Sequence, residues 1–294
     1  MLLKTWIFLI TFFISIWSSA QIKGVVIDSA TRLPIPYVSI WIENGNNGTT
    51  SEENGAFELN VSKKSKTLLF SALGYEKKKV SISNEMQVEL TPSTIELKEI
   101  VISKRYGNKQ IEIGETENSF LKANENGPRI DIKFFPYQSL YKRTKFIKQV
   151  IINTDSRIEE ATLKLHFYKV DSNCLPGEEF LEKDFIVTVG KGVKKTSFNL
   201  ISFNLVMPKN GIYVGFERLK IGKNKVEKII KDSEFNSSVI QTSFCPFVLY
   251  NSVERDYTFT FSDGKWIKEF TPNRLDTSSK TTVYEPAINL ILTN

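Results

Sequence analysis

One histidine and two cysteines in 294 residues leave little material for metal or haem chemistry. A zinc carboxypeptidase centre takes two His and a Glu, and the helical motif of other zinc proteases also needs two His, so neither can be assembled from this chain. No Gly-x-Ser-x-Gly nucleophile elbow is present, and no glycine loop of the phosphate-cradling type. Beyond the first twenty residues no apolar run approaches the roughly 20 residues that a membrane-spanning helix requires. Helical periodicity is scarce. What the chain does have is 41% hydrophobic and 24% charged residues, which excludes a disordered or collagen-like protein. Its length leaves room for about two domains.

Residues 1–20 have the form of an export signal. Lys4 gives a positive start, Trp6 to Trp17 an apolar run too short to span a bilayer, and Ser18-Ser19-Ala20 a small-residue cleavage site before Gln21. No Cys follows the run, which argues against a bacterial lipid anchor there. The expectation is an exported protein, soluble or held to the envelope by partners. Cys174 and Cys245 would then meet an oxidising compartment, where one disulfide and two separate thiols both remain open. Charge is uneven. Residues 21–102 carry 9 basic and 10 acidic side chains, while residues 103–294 carry 29 and 23. The excess gathers at Lys142 to Lys145, Lys191 to Lys195 and Arg218 to Lys231. These clusters are mostly Lys without interleaved aromatics, so a solvated surface is expected rather than a nucleic-acid face.

Strand signals dominate. Gly24 to Asp28, Val38 to Ile42, Ala56 to Val61, Thr67 to Ala72, Lys77 to Ile82 and Gln87 to Leu90 are short β-branched and apolar runs separated by turn residues, the pattern of a β-sandwich. Residues 103–129 are polar and rich in turn formers, as in a linker holding one strand. A second β-rich unit follows over 130–294. In it Ala161, Leu163, Leu165 and Phe167 alternate with Thr162, Lys164, His166 and Tyr168. Phe185 to Val189, Thr196 to Leu200, Ile212 to Phe216, Phe247 to Tyr250 and Ile288 to Leu292 continue the series. Tyr257 to Lys268 forms a hairpin about Ser262-Asp263-Gly264-Lys265. Ile221 to Asn236 is expected to be a loop excursion, with Val226, Ile229 and Ile230 on one short helical turn.

Five segments of the first unit carry a resemblance. They are Gly24-Val25-Val26-Ile27-Asp28 with Thr31; Pro34-Ile35-Pro36-Tyr37-Val38; Gly48-Thr49-Thr50-Ser51-Glu52 leading to Gly55-Ala56-Phe57; Leu69-Phe70-Ser71 with Gly74-Tyr75; and Leu97-Lys98-Glu99-Ile100-Val101-Ile102. Together they resemble the carboxypeptidase regulatory-like domain, a small transthyretin-like β-sandwich, with Ser51-Glu52 standing where the family usually has Thr-Asp. Gly24 and Gly55 suit close backbone approach or positive φ, the prolines fix a loop before the second strand, and Phe57 and Phe70 suit a core. The resemblance implies an envelope protein of a Gram-negative bacterium, periplasmic or at the outer membrane or cell surface. Similar domains often precede outer-membrane uptake receptors, but no plug-and-barrel length follows here.

The expected fold is therefore all-β, with the transthyretin-like sandwich at 21–102 and a second sandwich of jelly-roll or immunoglobulin-like type at 130–294. His166, in mid-strand between Lys164 and Tyr168, is expected to be a structural, exposed or half-packed residue rather than a catalytic base. The acidic pairs Glu159-Glu160 and Glu178-Glu179 are expected to be solvated, although paired carboxylates are the material of glycosidases. Glu52-Glu53-Asn54-Gly55 is shorter than a calcium loop and is expected to be a plain turn. Trp41 is expected in the core. Trp266, with Tyr257 and Phe259, is the candidate binding face. The chain is expected to use no cofactor and no catalysis, and to bind or scaffold an envelope protein or polysaccharide, with no nucleic acid. The alternative is a carbohydrate-binding accessory protein of a glycan-uptake system.

Overall fold

The computed structural model describes residues 20–45, 47–62, 65–93, 107–114, 119–121, 127–232, 237–270 and 281–294. The expected export signal lies outside them apart from Ala20, as does the Leu97 to Ile102 segment. The described residues form β-strands joined by turns and a few 3-10 turns. The first seven strands are β1 (Ala20–Asp28), β2 (Ser39–Ile42), β3 (Gly48–Thr50), β4 (Ala56–Val61), β5 (Thr67–Ser71), β6 (Lys78–Ser81) and β7 (Glu85–Leu90). They make a three-stranded sheet, β4-β1-β7, and a four-stranded sheet, β3-β2-β5-β6. Between the sheets lie Ile22, Val26, Ile40, Leu59, Leu68, Phe70 and Val88, with the Phe57 and Phe70 rings edge to face at 5.6 Å.

The segments of the first unit that carry the resemblance meet in space. The Asp28 carboxylate accepts from the backbone N–H groups of Ala30 and Thr31, which closes the turn after β1. Its other oxygen accepts from the Tyr75 hydroxyl at 2.9 Å, so two motifs 47 residues apart serve one contact. A Cβ at Gly24 would lie 2.5 Å from the Met86 carbonyl oxygen and 2.7 Å from the Phe57 ring. Gly55 has a φ of +75° at the β-turn before β4. Ser51 takes up the backbone around the prolines, accepting from the Val38 N–H and donating to the Ile35 carbonyl.

The remaining strands are β8 (Gln110–Ile113), β9 (Phe120–Leu121), β10 (Ile130–Phe135), β11 (Phe146–Ser156), β12 (Ala161–Val170), β13 (Pro176–Glu179), β14 (Phe185–Val189), β15 (Gly192–Asn199), β16 (Ile212–Arg218), β17 (Lys225–Asp232), β18 (Ser237–Phe244), β19 (Phe247–Glu254), β20 (Thr258–Ser262), β21 (Lys265–Glu269), β22 (Thr282–Pro286) and β23 (Ile288–Thr293). One sheet runs β13-β12-β16-β10-β20-β21, with β14 also on β12. The other runs β22-β19-β11-β23-β8, with β15 on β11 and β9 on β19. Leu163, Leu165 and Phe167 of β12 pack with Val150, Ile152, Val214, Leu290 and Leu292 between these sheets. The hairpin β20–β21 turns through Asp263 and Gly264, both at positive φ, as a tight two-residue hairpin turn requires.

Two expectations are corrected. The stretch 103–129 is not simply a linker, since its described part gives β8 to β23 and β9 to β19. Nor is 221–236 a loop excursion with one helical turn. A short 3-10 turn at Gly222–Asn224 leads into β17, which pairs with β18 over eight unbroken positions. Val226, Ile229 and Ile230 have a helix-like spacing, but β-branched side chains favour strands, and the uncharged segment 237–244 supplies the partner. The ribbon is rooted by fully buried Asn224. Its side-chain oxygen accepts from the Thr162 N–H, and its amide donates to the Thr162 and Leu219 carbonyls. Asn224→Ala orphans these backbone groups and is expected to lower unfolding stability by about 2–3 kcal/mol in urea titration. Cys174 is exposed and Cys245 buried, and both are free thiols.

Candidate functional site

Alternation in β2 and β5 sends Ile40, Ile42, Leu68 and Phe70 into the first core and leaves Ser39, Trp41 and Leu69 on the opposite face. That face is also buried. It sits against the outer face of the second sandwich's β12–β16–β10–β20 sheet, where the cross-strand rows bring together Lys164, His166 and Tyr168 with Glu217 and Tyr213, and Ile130 and Ile132 with Phe261. Trp41 meets Phe261 edge to face at 5.7 Å and donates its indole N–H to the Pro128 carbonyl at 2.7 Å. Leu69 presses on the Gly264 turn, where a Cβ would come within 2.2 Å of it. Lys77 lies over the Phe261 ring and donates to the Gly264 carbonyl. At the rim the Glu52 carboxylate accepts from the Gly222 N–H at 2.7 Å, giving the acidic turn a structural task.

Beside this aromatic patch lies a buried cluster of charges. The His166 imidazole has its Nδ1 3.1 Å from the Glu179 carboxylate and its Nε2 3.4 Å from that of Glu217. The Ser39 hydroxyl, from the first sandwich, donates to Glu217. The Lys164 ammonium pairs with Asp184 at 3.0 Å, lies 3.9 Å from Glu217, and donates to the Tyr37 carbonyl of the first sandwich at 3.0 Å. The Tyr168 ring stacks parallel to the imidazole. Burial by itself would depress the imidazole pKa, but Glu179 and Glu217 outweigh it and push it up to about 9. Burial likewise works against the Glu217 charge, yet Lys164 and His166 hold this carboxyl below its usual range. Lys164 is raised against its desolvation by Asp184 and Glu217. The site is thus an ion network, with the imidazole held as a cation at neutral pH.

His166 is therefore neither exposed nor half-packed. The polar face of β12 is dry because another sandwich covers it. Of the two acidic pairs, Glu178 points outward to Lys169 while Glu179 turns inward to His166. Glu159 accepts from the Lys191 N–H. Ser39 is buried and aimed at a carboxylate rather than at the imidazole, so the Ser, His and Glu here do not have the order of a hydrolase triad. Among the described residues no group of three or more His, Cys, Asp or Glu side chains could hold a metal ion.

The three residues of the candidate binding face lie on one side of the β20–β21 hairpin. Phe259 is buried. Trp266 is half-buried, edge-on to Tyr168 at 5.1 Å and to Phe261 at 5.2 Å. Tyr257 is half-buried, with the Lys268 ammonium 3.5 Å above its ring. The hairpin brings all three together, but as the outer part of the same aromatic cluster that seats Trp41.

The fold defines a chain of two β-sandwiches in close contact. Residues 22–102 match the model of the CarboxypepD_reg-like domain, which confirms the resemblance of the first unit. No curated protein matches the chain. Among solved structures, a candidate carbohydrate-binding protein from Bacteroides uniformis ATCC 8492 shares 10% identity at a TM-score of 0.21, over 79% of this chain and 98% of that one. A DUF3823 family protein from Bacteroides ovatus ATCC 8483 shares 7% at 0.20, over 79% and 95%. No helix among the described residues is long and apolar enough to cross a membrane.

Proposed function

We propose that the chain is an exported, non-catalytic binding or scaffolding protein of a bacterial envelope, with a protein rather than a glycan as its partner. The observation that carries this reading is the fate of the aromatic face of the second sandwich. Glycan platforms need flat aromatic rings open to solvent, whereas here Phe259, Phe261, Tyr213 and Tyr168 are buried. They seat the first sandwich, and the ion network beside them has no free nucleophile. The regulatory-like sandwich acts as a brace, and the second sandwich offers its loops, edges and the β17–β18 ribbon for contact.

The test exposes residues 21–294 to a glycan array, with Trp266→Ala as control, and in parallel to envelope extract for pull-down. A blank array with a saturable protein partner is the expected result. Saturable glycan binding lost in Trp266→Ala would overturn it in favour of the carbohydrate-binding alternative.

A further inference from the structure

The β17–β18 ribbon stands apart from both sandwiches beyond its root, since neither strand pairs with any other among the described residues. Eight residues per strand extend it roughly 26 Å. Ile229 and Ile240 are cross-strand partners on one face, 65% and 61% exposed. Ile230 and Val239 are partners on the other face and are exposed as well. An isolated two-stranded ribbon is at best marginal in water, and exposed β-branched aliphatics on both faces increase the drive to cover it.

Its two edges are not equivalent. The β17 sequence KVEKIIKD has five charged residues among eight, the usual protection of an exposed edge. The β18 sequence SSVIQTSF has no charge, proline or glycine, and its register with β17 has no bulge. Proteins guard edge strands with these very devices, and only one edge here is guarded.

We propose that the free edge of β18 pairs with the same edge of a second copy, antiparallel about a twofold axis through Ile240, to give a four-stranded sheet. A twofold axis normal to the sheet keeps each face on its own side, so a residue can only meet one of like parity. The register centred on Ile240 sets Val239 against Gln241 and Ser238 against Thr242, with no charge opposed to another. It also aligns Ile229, Ile240 and the same two residues of the second copy as one row of four isoleucines across the sheet. Cross-strand β-branched pairs of this kind stabilise sheets, and the isologous arrangement closes at two copies without propagating. The proposal goes beyond the reading of function and does not depend on the identity of any partner.

Sedimentation equilibrium on residues 21–294 is expected to find a dimer. Ile240→Lys sets two ammonium groups against each other at the axis and is expected to raise the dimer dissociation constant by about 100-fold. A wild-type chain that stays monomeric at its highest soluble concentration would overturn the proposal, as would a dimer indifferent to Ile240→Lys. Cysteine trapping tests the register independently of affinity. In a Cys174→Ser background, mild oxidation is expected to cross-link Ile240→Cys to itself, because antiparallel partners lie within disulfide reach. Gln241→Cys, which faces Val239, is expected to stay uncrosslinked. Equal cross-linking at both positions contradicts the register, and a monomer that instead takes up an unrelated strand peptide contradicts the second copy as occupant.

Discussion

Glu217→Ala is expected to lower unfolding stability by about 3–5 kcal/mol at pH 7, the usual cost of removing one partner from a buried ion cluster. The carboxylate is 2% exposed and serves three groups at once: the Ser39 hydroxyl, the His166 imidazole and the Lys164 ammonium. Its loss leaves Lys164 and His166 in a dry junction with Asp184 and Glu179 as their remaining carboxylates. The same network sets a pH dependence. His166 is raised in the folded state from 6.5 to about 9, so its contribution is fully present below about 6.5 and is lost as pH rises through about 9. A shift of that size corresponds to about 3 kcal/mol. Glu217 works in the other direction: its folded value is lowered, so its contribution is present above the ordinary carboxylate range and is lost on acidification. Denaturant titrations across pH should therefore show a plateau in the weakly acidic region, a decline toward pH 9.5, and no such decline of similar size in Glu217→Ala.

Trp41→Ala is expected to cost about 3–5 kcal/mol, in the range of large aromatic truncations in cores. The indole is 2% exposed although it lies on the outer face of its own sandwich, so the loss falls on the seam between the sandwiches. It removes the edge-on contact with Phe261 and the bond to the Pro128 carbonyl, and leaves that carbonyl without its donor. The expected readout is selective. Limited proteolysis should speed up at the seam between the sandwiches while the strands of the first sandwich stay protected, and calorimetry should split one transition into two. A variant that melts as a single, slightly shifted transition would place the effect in the first core alone.

The strands were legible where polar and apolar side chains alternate. Ala56–Val61, Ala161–Val170 and Phe185–Val189 run between the residues that their alternation marks, and the Asp263-Gly264 turn fixes the β20–β21 hairpin. β10 and β11 carry little alternation because both of their faces are largely buried, and a continuous apolar run does not reveal its period. The β17–β18 ribbon was missed because pairing with 237–244, not local spacing, decides its conformation. The site was legible only in part. Alternation in β12 separated Lys164, His166 and Tyr168 from Leu163, Leu165 and Phe167, but a polar face tells nothing of what covers it. The Ser39 to Glu217 contact joins residues 178 apart, and neither carries a local mark of its partner. Trp41 was correctly expected to be buried, although the core it fills belongs to both sandwiches. The β20–β21 hairpin puts Tyr257, Phe259 and Trp266 on one side, while the burial of Phe259 depends on the same docking, which alternation does not reveal.

A buried imidazolium sits between the sandwiches, and the chain offers a direct view of it because His166 is its sole histidine. A proton NMR titration of the imidazole C2–H in residues 21–294 yields one resonance with no assignment problem. The expected midpoint is near 9 and falls toward 6.5 in Glu217→Ala. A midpoint of about 6.5 in the unaltered protein, the value of a solvated histidine, would mean that the β12 face is wet and that the two sandwiches are not docked through it.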